Sequence, residues 1–196
     1  MIGFMLLKCL WTITKIRLPK TWDLTNQQRR GLDGEKTEEY LKTHLDLPEQ
    51  EVEQHWPNLD LNNHHETSKR CSRYNCIAWA IGINDDRWAP YTSHKWFEGF
   101  KKIRNYPGDD IEIHKDGFKS IGFEECQNGN FEKSFEKIAF YIKGKSVEHI
   151  ARQIENGHWT SKLGVRYHDI EHYTLNALEG GLYGHARVFM KRKIVV

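Results

Sequence analysis

Cys76 stands near the head of an apolar run at residues 74–82, YNCIAWAIG, that predicts a short buried helix. Asn75 is a favourable N-cap and Gly82 a favourable end, so Cys76 is expected in the first helical turn. Unpaired backbone amides and the helix dipole lower a thiol pKa there, because both stabilise the thiolate. The chemistry that this position favours is nucleophilic attack, with the Cys76 amide helping to hold an oxyanion.

A thiol nucleophile needs a general base, and His149 is the predicted one. It lies in a predicted strand at residues 147–154, with the small Ala151 beside it on the same face. A third group would orient the imidazole, and Asp169 is the predicted orienting residue. Three further polar residues stay open for that role: Glu171, Gln153 and Thr160.

The dipeptide Asn156-Gly157 predicts a two-residue hairpin turn between that strand and a returning strand at residues 159–163. Such a turn pairs Glu155 with His158, and side chains then alternate between the two faces of the hairpin. The face predicted to join the core carries Ile150, Arg152, Ile154, Trp159, Ser161 and Leu163. The face predicted to carry the site holds His149, Ala151, Gln153, Thr160 and Lys162.

Helical patterns come first along the chain, and strand patterns follow. Helices are predicted within residues 23–55 and at 76–82, 93–100 and 169–180, strands at 137–142, 147–154, 159–163 and 185–190, and a loop at 57–73. This order predicts an α+β domain in which N-terminal helices precede an antiparallel β-meander, in a papain-like arrangement. We divide the chain into an N-terminal extension with helices at residues 1–55 and a core domain at 56–196.

Histidines offer a metal-dependent alternative. His168 and His172 fit the H-x-x-E-H pattern of inverted zinc peptidases, in which the two histidines share one helix face. A second set with irregular spacing consists of His64, His65, Cys71 and Cys76. A third metal ligand for the first set is not evident, and surface histidines explain the second set, so neither a metal nor a cofactor is predicted.

Binding without catalysis is the alternative from another class. Residues predicted to contact a ligand beside the thiol and imidazole are Tyr74, Asn75, Gln153, Thr160 and Lys162. Arg152 and Lys162 would hold an anionic group if they flanked His149. The tryptophans Trp79, Trp88, Trp96 and Trp159 would line a peptide or glycan groove, although aromatic residues of one domain pack more often in its core.

The charge and the cysteine content of the chain limit which partners and which cellular compartment are expected. The chain has 29 basic and 27 acidic residues and a net charge of +2, which gives no strong attraction to nucleic acid or anionic membrane. The apolar start at residues 1–11 is too short to span a bilayer and has neither a basic n-region nor a small-residue cleavage site. Four cysteines without a CxxC spacing indicate reduced thiols. We expect a cytoplasmic protein without nucleic-acid or membrane partners.

Several blocks in fixed order resemble an uncharacterised, mainly bacterial domain of unknown function, over about residues 55–190. They are YNCIAWA at 74–80, EKIAFY at 136–141, HIARQ at 149–153, GHWTSKLG at 157–164, DIEH at 169–172 and LEGGLYG at 178–184. The resemblance implies a shared fold and carries no activity with it. The link to papain-like enzymes rests on Cys76 and His149 alone.

The sequence therefore predicts a papain-like thiol hydrolase or acyltransferase that acts on an amide or thioester bond of a peptide or protein. Cys76 is the expected nucleophile, His149 the base and Asp169 the orienting residue. A non-catalytic interaction module is the alternative, in which Cys76 is a packed apolar residue and His149 is hydrogen-bonded locally. A zinc hydrolase built on residues 168–172 is the third and least favoured interpretation.

Overall fold

The computed structural model describes residues 49–91, 94–98, 110–164 and 167–194. By compactness the chain divides into Met1–Asp33 and Gly34–Val196, and the described residues all belong to the second unit. The apolar start and the helices predicted within residues 23–41 lie outside the described residues. No helix of the described residues is long and apolar enough to cross a membrane.

Strands make up most of the described secondary structure. The helices are α1 (Glu49–His55), α2 (Cys76–Ala80), α3 (Asp110–Lys119) and a 3-10 helix (Leu175–Leu178). The strands are β1 (His64–Ser68), β2 (Glu124–Cys126), β3 (Phe135–Lys143), β4 (Ser146–Gln153), β5 (Trp159–Lys162), β6 (Asp169–His172) and β7 (His185–Lys193).

All seven strands form one antiparallel sheet in the order β1-β6-β5-β4-β3-β7-β2. Long β3 and β4 lie at its centre, and the remaining strands extend it to both sides. A mostly antiparallel sheet with a few short helices fits the predicted α+β class. In the described residues, α1 alone represents the predicted series of N-terminal helices.

Four predicted strands are confirmed, while three local predictions are wrong. The expected loop at 57–73 contains β1, and the expected helix at 169–180 is instead β6 followed by the 3-10 helix. Residues 94–98 of the expected helix at 93–100 are not helical, and Lys95 there forms a β-bridge with Trp88. Both missed strands form because β1 and β6 pair with each other across about a hundred residues of chain.

The hairpin between β4 and β5 has a different register from the predicted one. Its loop has three residues, 155–157, because Ile154 and His158 bond across it, and Gly157 takes the left-handed conformation at φ 86°. Gln153 consequently pairs with Trp159, and Arg152 with Thr160. This slip of one residue reverses the relative facing of the two strands.

Two apolar clusters cover the two faces of the sheet. The face that we call the α1 face carries Ala139, Tyr141, Ala151, Trp159 and Ile170, packed against Val52 and Trp56 in and after α1. The α2 face carries Ile138, Phe140, Ile150 and Met190, packed against Ile77 and Ala80 of α2 and Phe118 of α3. The predicted domain boundary after residue 55 stays a prediction; Val52 and Trp56, on either side of it, share one core.

Candidate functional site

Cys76 is the first residue of α2, as the sequence predicts. Asn75 caps the helix: its side-chain oxygen accepts hydrogen bonds from the Ala78 amide at 3.2 Å and from the Trp88 amide at 3.1 Å. Its side-chain nitrogen donates to the Trp88 carbonyl at 2.5 Å. Asn75 thus fixes both the start of α2 and the loop at Trp88, and it holds Cys76 above β4 and β5, on which α2 packs.

Opposing influences act on the pKa of the Cys76 thiol. Burial raises the pKa, and this is the largest influence. The backbone N–H groups of Ile150, Ile77 and Cys76 itself act in the opposite direction, as does the charge of Lys162. The expected lowering of the thiol pKa is therefore not found in the ligand-free chain, although the groups that would stabilise a thiolate surround the sulfur. Part of the residue keeps its exposure to solvent.

The Ile150 amide reaches the thiol because the sheet opens at this point. The ladder between β4 and β5 consists of the pairs Arg152–Thr160 and Gln153–Trp159, next to the hairpin loop, although β4 begins at Ser146. Ile150 lies two residues before Arg152, the last paired residue, and its amide contacts the Cys76 thiol. The sulfur thus lies beside β4, where it leaves β5.

His149 precedes Ile150 in β4, and its side chain lies on the α1 face with its neighbour Tyr141. The whole residue is 1% exposed. Nε2 lies 2.9 Å from the hydroxyl oxygen of Ser161 on β5, and the ring stacks on Tyr183 with centroids 4.3 Å apart. Burial lowers the pKa of His149 well below its ordinary value, with a smaller contribution from His172. The imidazole is therefore neutral at physiological pH.

Ser161 lies between two histidines in the interior of the α1 face. Its hydroxyl oxygen is 2.9 Å from Nε2 of His149 and 2.9 Å from Nε2 of His172 on β6. Nδ1 of His172 lies 2.8 Å from the Thr174 carbonyl oxygen. Burial is the main influence that lowers the pKa of His172, to about 4. Three buried polar side chains thus form one hydrogen-bonded chain across β4, β5 and β6.

The thiol and the imidazole approach the opening of the sheet from different faces. Cys76 packs against the α2-face cluster, whereas His149 stacks on Tyr183, which belongs to the α1-face cluster. No hydrogen bond joins the two side chains in the described structure. They share Tyr183 as a neighbour. Burial is the main cause of the raised pKa of Tyr183, and the charge of Cys76 is the next cause. The two side chains thus lie on different faces of the sheet beside β4, with Tyr183 as a common neighbour and without a hydrogen bond between them.

Asp169 lies away from His149, on the α2 face. Its carboxylate is fully buried, pairs with Lys162 Nζ at 3.2 Å and accepts hydrogen bonds from Ser68 Oγ at 2.6 Å and from the Tyr74 hydroxyl. The structure does not bring Asp169 to the imidazole that it was predicted to orient. The hydroxyl of Ser161 contacts that imidazole instead.

The five residues predicted to bind a ligand bond to other parts of the protein in this structure. Asn75 caps α2, and Tyr74 and Lys162 bond to Asp169. Thr160 Oγ1 accepts from the Trp79 indole at 3.2 Å and donates to the Ile170 carbonyl, while Gln153 donates to the carbonyls of Gly129 and Gly157. Their predicted part in ligand binding stays a prediction.

The helical premise of the zinc alternative is wrong, because Asp169–His172 is a strand. His168 pairs with Glu66 at 2.7 Å, and His172 bonds to Ser161 and Thr174. Among the described residues, no group of three or more histidine, cysteine, aspartate or glutamate side chains is arranged to hold a metal ion.

Sequence reasoning did not single out Ser161 or Tyr183 as site residues, and it considered His172 only as a zinc ligand. All three occur in the blocks that carry the family resemblance, GHWTSKLG, DIEH and LEGGLYG. With the three-residue loop in place of a two-residue turn, alternation alone would have put Ser161 on the face of His149. His172 and Tyr183 have no local signal, since long-range pairing and packing bring them to the site.

Fold and site together define an α+β domain with a thiol at a helix start and a buried imidazole on the adjoining strand of an antiparallel sheet. The chain belongs to the family described as Domain of unknown function (DUF7689), whose model matches residues 65–191. The match includes α2, every strand from β2 to β6 and the residues around His149. No curated protein and no solved structure matched the chain. The resemblance to an uncharacterised domain is thereby confirmed.

Proposed function

We propose that the protein is a thiol hydrolase or acyltransferase that acts on an amide or thioester bond, with Cys76 as the nucleophile and His149 as the base. The observation that carries the proposal is the surrounding of the Cys76 sulfur: three backbone N–H groups act on it, and one of them belongs to the residue after His149. A papain-like relation between helix and sheet is part of the proposal, because a thiol-bearing helix packs on an antiparallel sheet that carries the imidazole.

The reaction forms one covalent intermediate, and His149 transfers a proton both when that intermediate forms and when it breaks down. Sγ of Cys76 attacks the carbonyl carbon while the thiol proton passes to His149, and the carbonyl oxygen becomes an oxyanion near the Cys76 amide. The imidazolium then gives its proton to the leaving nitrogen or sulfur as the C–N or C–S bond breaks. Water or an acceptor nucleophile attacks the acyl-Cys76 thioester, loses a proton to His149 and regenerates the thiol.

The resting site is uncharged. Burial keeps the Cys76 thiol protonated and His149 neutral, so the proton moves only when substrate is bound. The reaction requires the thiol and the imidazole to close to hydrogen-bond reach in the substrate complex, as catalytic pairs often do on binding. Reduced thiols at Cys76 and Cys126 suit a reducing compartment. A bacterial cytoplasm and a peptide or protein substrate complete the proposal.

Acylation of the thiol tests the proposal without knowledge of the natural substrate. The protein is mixed with S-phenyl thioacetate and examined by intact mass and peptide mapping. We expect one acetyl group on Cys76 in the native protein and in Cys126→Ser, the matched control for a partly exposed thiol, and none at this site in Cys76→Ser. Acetylation of Cys126 with Cys76 unmodified would overturn the proposal.

A non-catalytic interaction module is the second candidate, and two observations favour it. The polar groups around the site bond to one another, and burial opposes ionisation of both Cys76 and His149. In that case Cys76 is a packing residue, and its replacement by alanine lowers the melting temperature. For a catalytic thiol, the same replacement abolishes acylation and changes the melting temperature little.

A further inference from the structure

We infer that an uncharged relay of Ser161, His172 and the Thr174 carbonyl orients His149, places its proton on Nε2 and leaves Nδ1 as the proton acceptor. The inference rests on the proposed function for its catalytic meaning. The proton positions themselves follow from hydrogen-bond chemistry and can be measured independently of any activity.

The order of donors begins at Thr174. A carbonyl oxygen only accepts, so Nδ1 of His172, 2.8 Å from the Thr174 oxygen, must carry a proton. A neutral imidazole has one N–H, and therefore Nε2 of His172 is an acceptor. That nitrogen lies 2.9 Å from Ser161, whose hydroxyl must donate to it.

The remaining bond fixes the tautomer of His149. A serine hydroxyl has one proton, and Ser161 donates it to His172. Nε2 of His149, 2.9 Å from the same oxygen, must therefore be the donor of its bond to Ser161. Since His149 is neutral, its Nδ1 carries a lone pair, and the hydrogen bond of this ring to the described part of the chain is made through Nε2. A lone pair on a ring nitrogen is what a general base needs.

The relay is rigid because its members are sealed in the core. Ser161 and His172 are 0% exposed and His149 is 1% exposed, so water does not compete for their hydrogen bonds. The strand pairs Ser161–Ile170 and Trp159–His172 hold β5 and β6 in register. Tyr183 fixes the plane of the His149 ring from the other side, with an interplanar angle of 8°.

A neutral relay differs in effect from the carboxylate that the sequence suggested. An adjacent carboxylate would stabilise the imidazolium and raise the pKa of His149, whereas Ser161 fixes ring orientation and tautomer without adding charge. The carboxylate of Asp169 is engaged with Lys162 on the other face. Ser161 and His172 are thus positioning residues that act through His149.

Nitrogen-15 NMR of protein labelled at histidine reads the tautomer directly, because protonated and unprotonated ring nitrogens have well-separated shifts. At neutral pH we expect the N–H of His149 on Nε2 in the native protein. In His172→Leu the Ser161 proton is released and can be donated to His149, so the N–H should move to Nδ1. In His172→Gln, whose amide can both accept from Ser161 and donate to Thr174, it should stay on Nε2.

Thr160→Val is the matched control, because Thr160 is the neighbouring buried hydroxyl, lies on the α2 face and bonds to the Trp79 indole and the Ile170 carbonyl. It should lose stability while the N–H of His149 stays on Nε2. If the N–H of His149 lies on Nδ1 in the native protein, the relay is contradicted even if Cys76 is acylated. If the tautomers are as expected but Cys76 is not acylated, the proposed function is wrong and the relay is still supported.

Discussion

The imidazole of His149 lies parallel to the phenol ring of Tyr183, with ring centroids 4.3 Å apart. The Tyr183 hydroxyl donates to the Leu163 carbonyl at 3.0 Å, which fixes the phenol above the end of β5. The following Gly184 has φ 74°, and a Cβ there would collide with the Ile142 carbonyl. The LEGGLYG block is thereby explained as the turn that presents Tyr183 to the imidazole.

Two replacements of Tyr183 distinguish the effect of ring stacking from the effect of the hydroxyl group. Tyr183→Phe keeps the ring and loses one hydrogen bond, so we expect a stability loss of about 1 kcal/mol and nearly native acylation of Cys76. Tyr183→Leu also removes the ring face that holds the imidazole, and acylation should slow by about tenfold or more. Acylation rates and denaturant unfolding of both variants test this; equal rates in the two variants would show that the stack has no part in positioning.

Asp169 is expected to matter for stability. Asp169→Asn leaves Lys162 buried without its carboxylate, which costs about 3–5 kcal/mol when one partner of a buried pair is removed. Urea unfolding should show this loss, and the double variant Asp169→Asn with Lys162→Met should recover part of it. If Asp169→Asn abolished acylation in a protein of native stability, Asp169 would be an orienting residue after all.

Stability should fall on acidification through the relay. The pKa of His172 is about 4 in the folded chain and 6.5 in the unfolded chain, so the unfolded state binds more protons between these values. The free energy of unfolding keeps its full value above pH 6.5 and decreases by about 3 kcal/mol as the pH falls to 4. His149, whose pKa is also lowered, acts in the same direction.

Urea unfolding between pH 7.5 and pH 4 measures this loss. His172→Gln cannot titrate at this position, so its unfolding free energy should decrease less steeply over the interval. His185→Gln is the control, since the side chain of His185 is about half exposed and lies outside the relay. Equal slopes in native protein and His172→Gln would contradict the buried neutral state of His172.

Local signals were sufficient for the position of Cys76. Asn75 caps a helix through its own side chain, so its effect can be read from a few neighbouring residues. The strands around His149 were also predictable, because runs of β-branched and aromatic residues end at glycine turns. These features need no knowledge of the distant parts of the chain.

The prediction of the partners of His149 was wrong because the predicted hairpin register differs from the observed one by one residue. Asn156-Gly157 is compatible with a two-residue and a three-residue loop, and the choice decides whether Ser161 or Thr160 shares the face of His149. β6 has β1 on one side and β5 on the other, and these distant pairings override the helix-like pattern of residues 169–172. Tertiary pairing of this kind has no signature in a short window of sequence.

The central claim, that His149 activates Cys76, is tested most directly by the rate at which S-phenyl thioacetate acylates Cys76 in native protein and in His149→Gln. If His149 takes the thiol proton, acylation should slow by about 10²-fold or more in the variant at neutral pH. The difference should shrink at strongly alkaline pH, where hydroxide deprotonates the thiol in both proteins, because burial raises the pKa of this thiol. Acylation of the folded variant at the native rate at neutral pH would contradict the account.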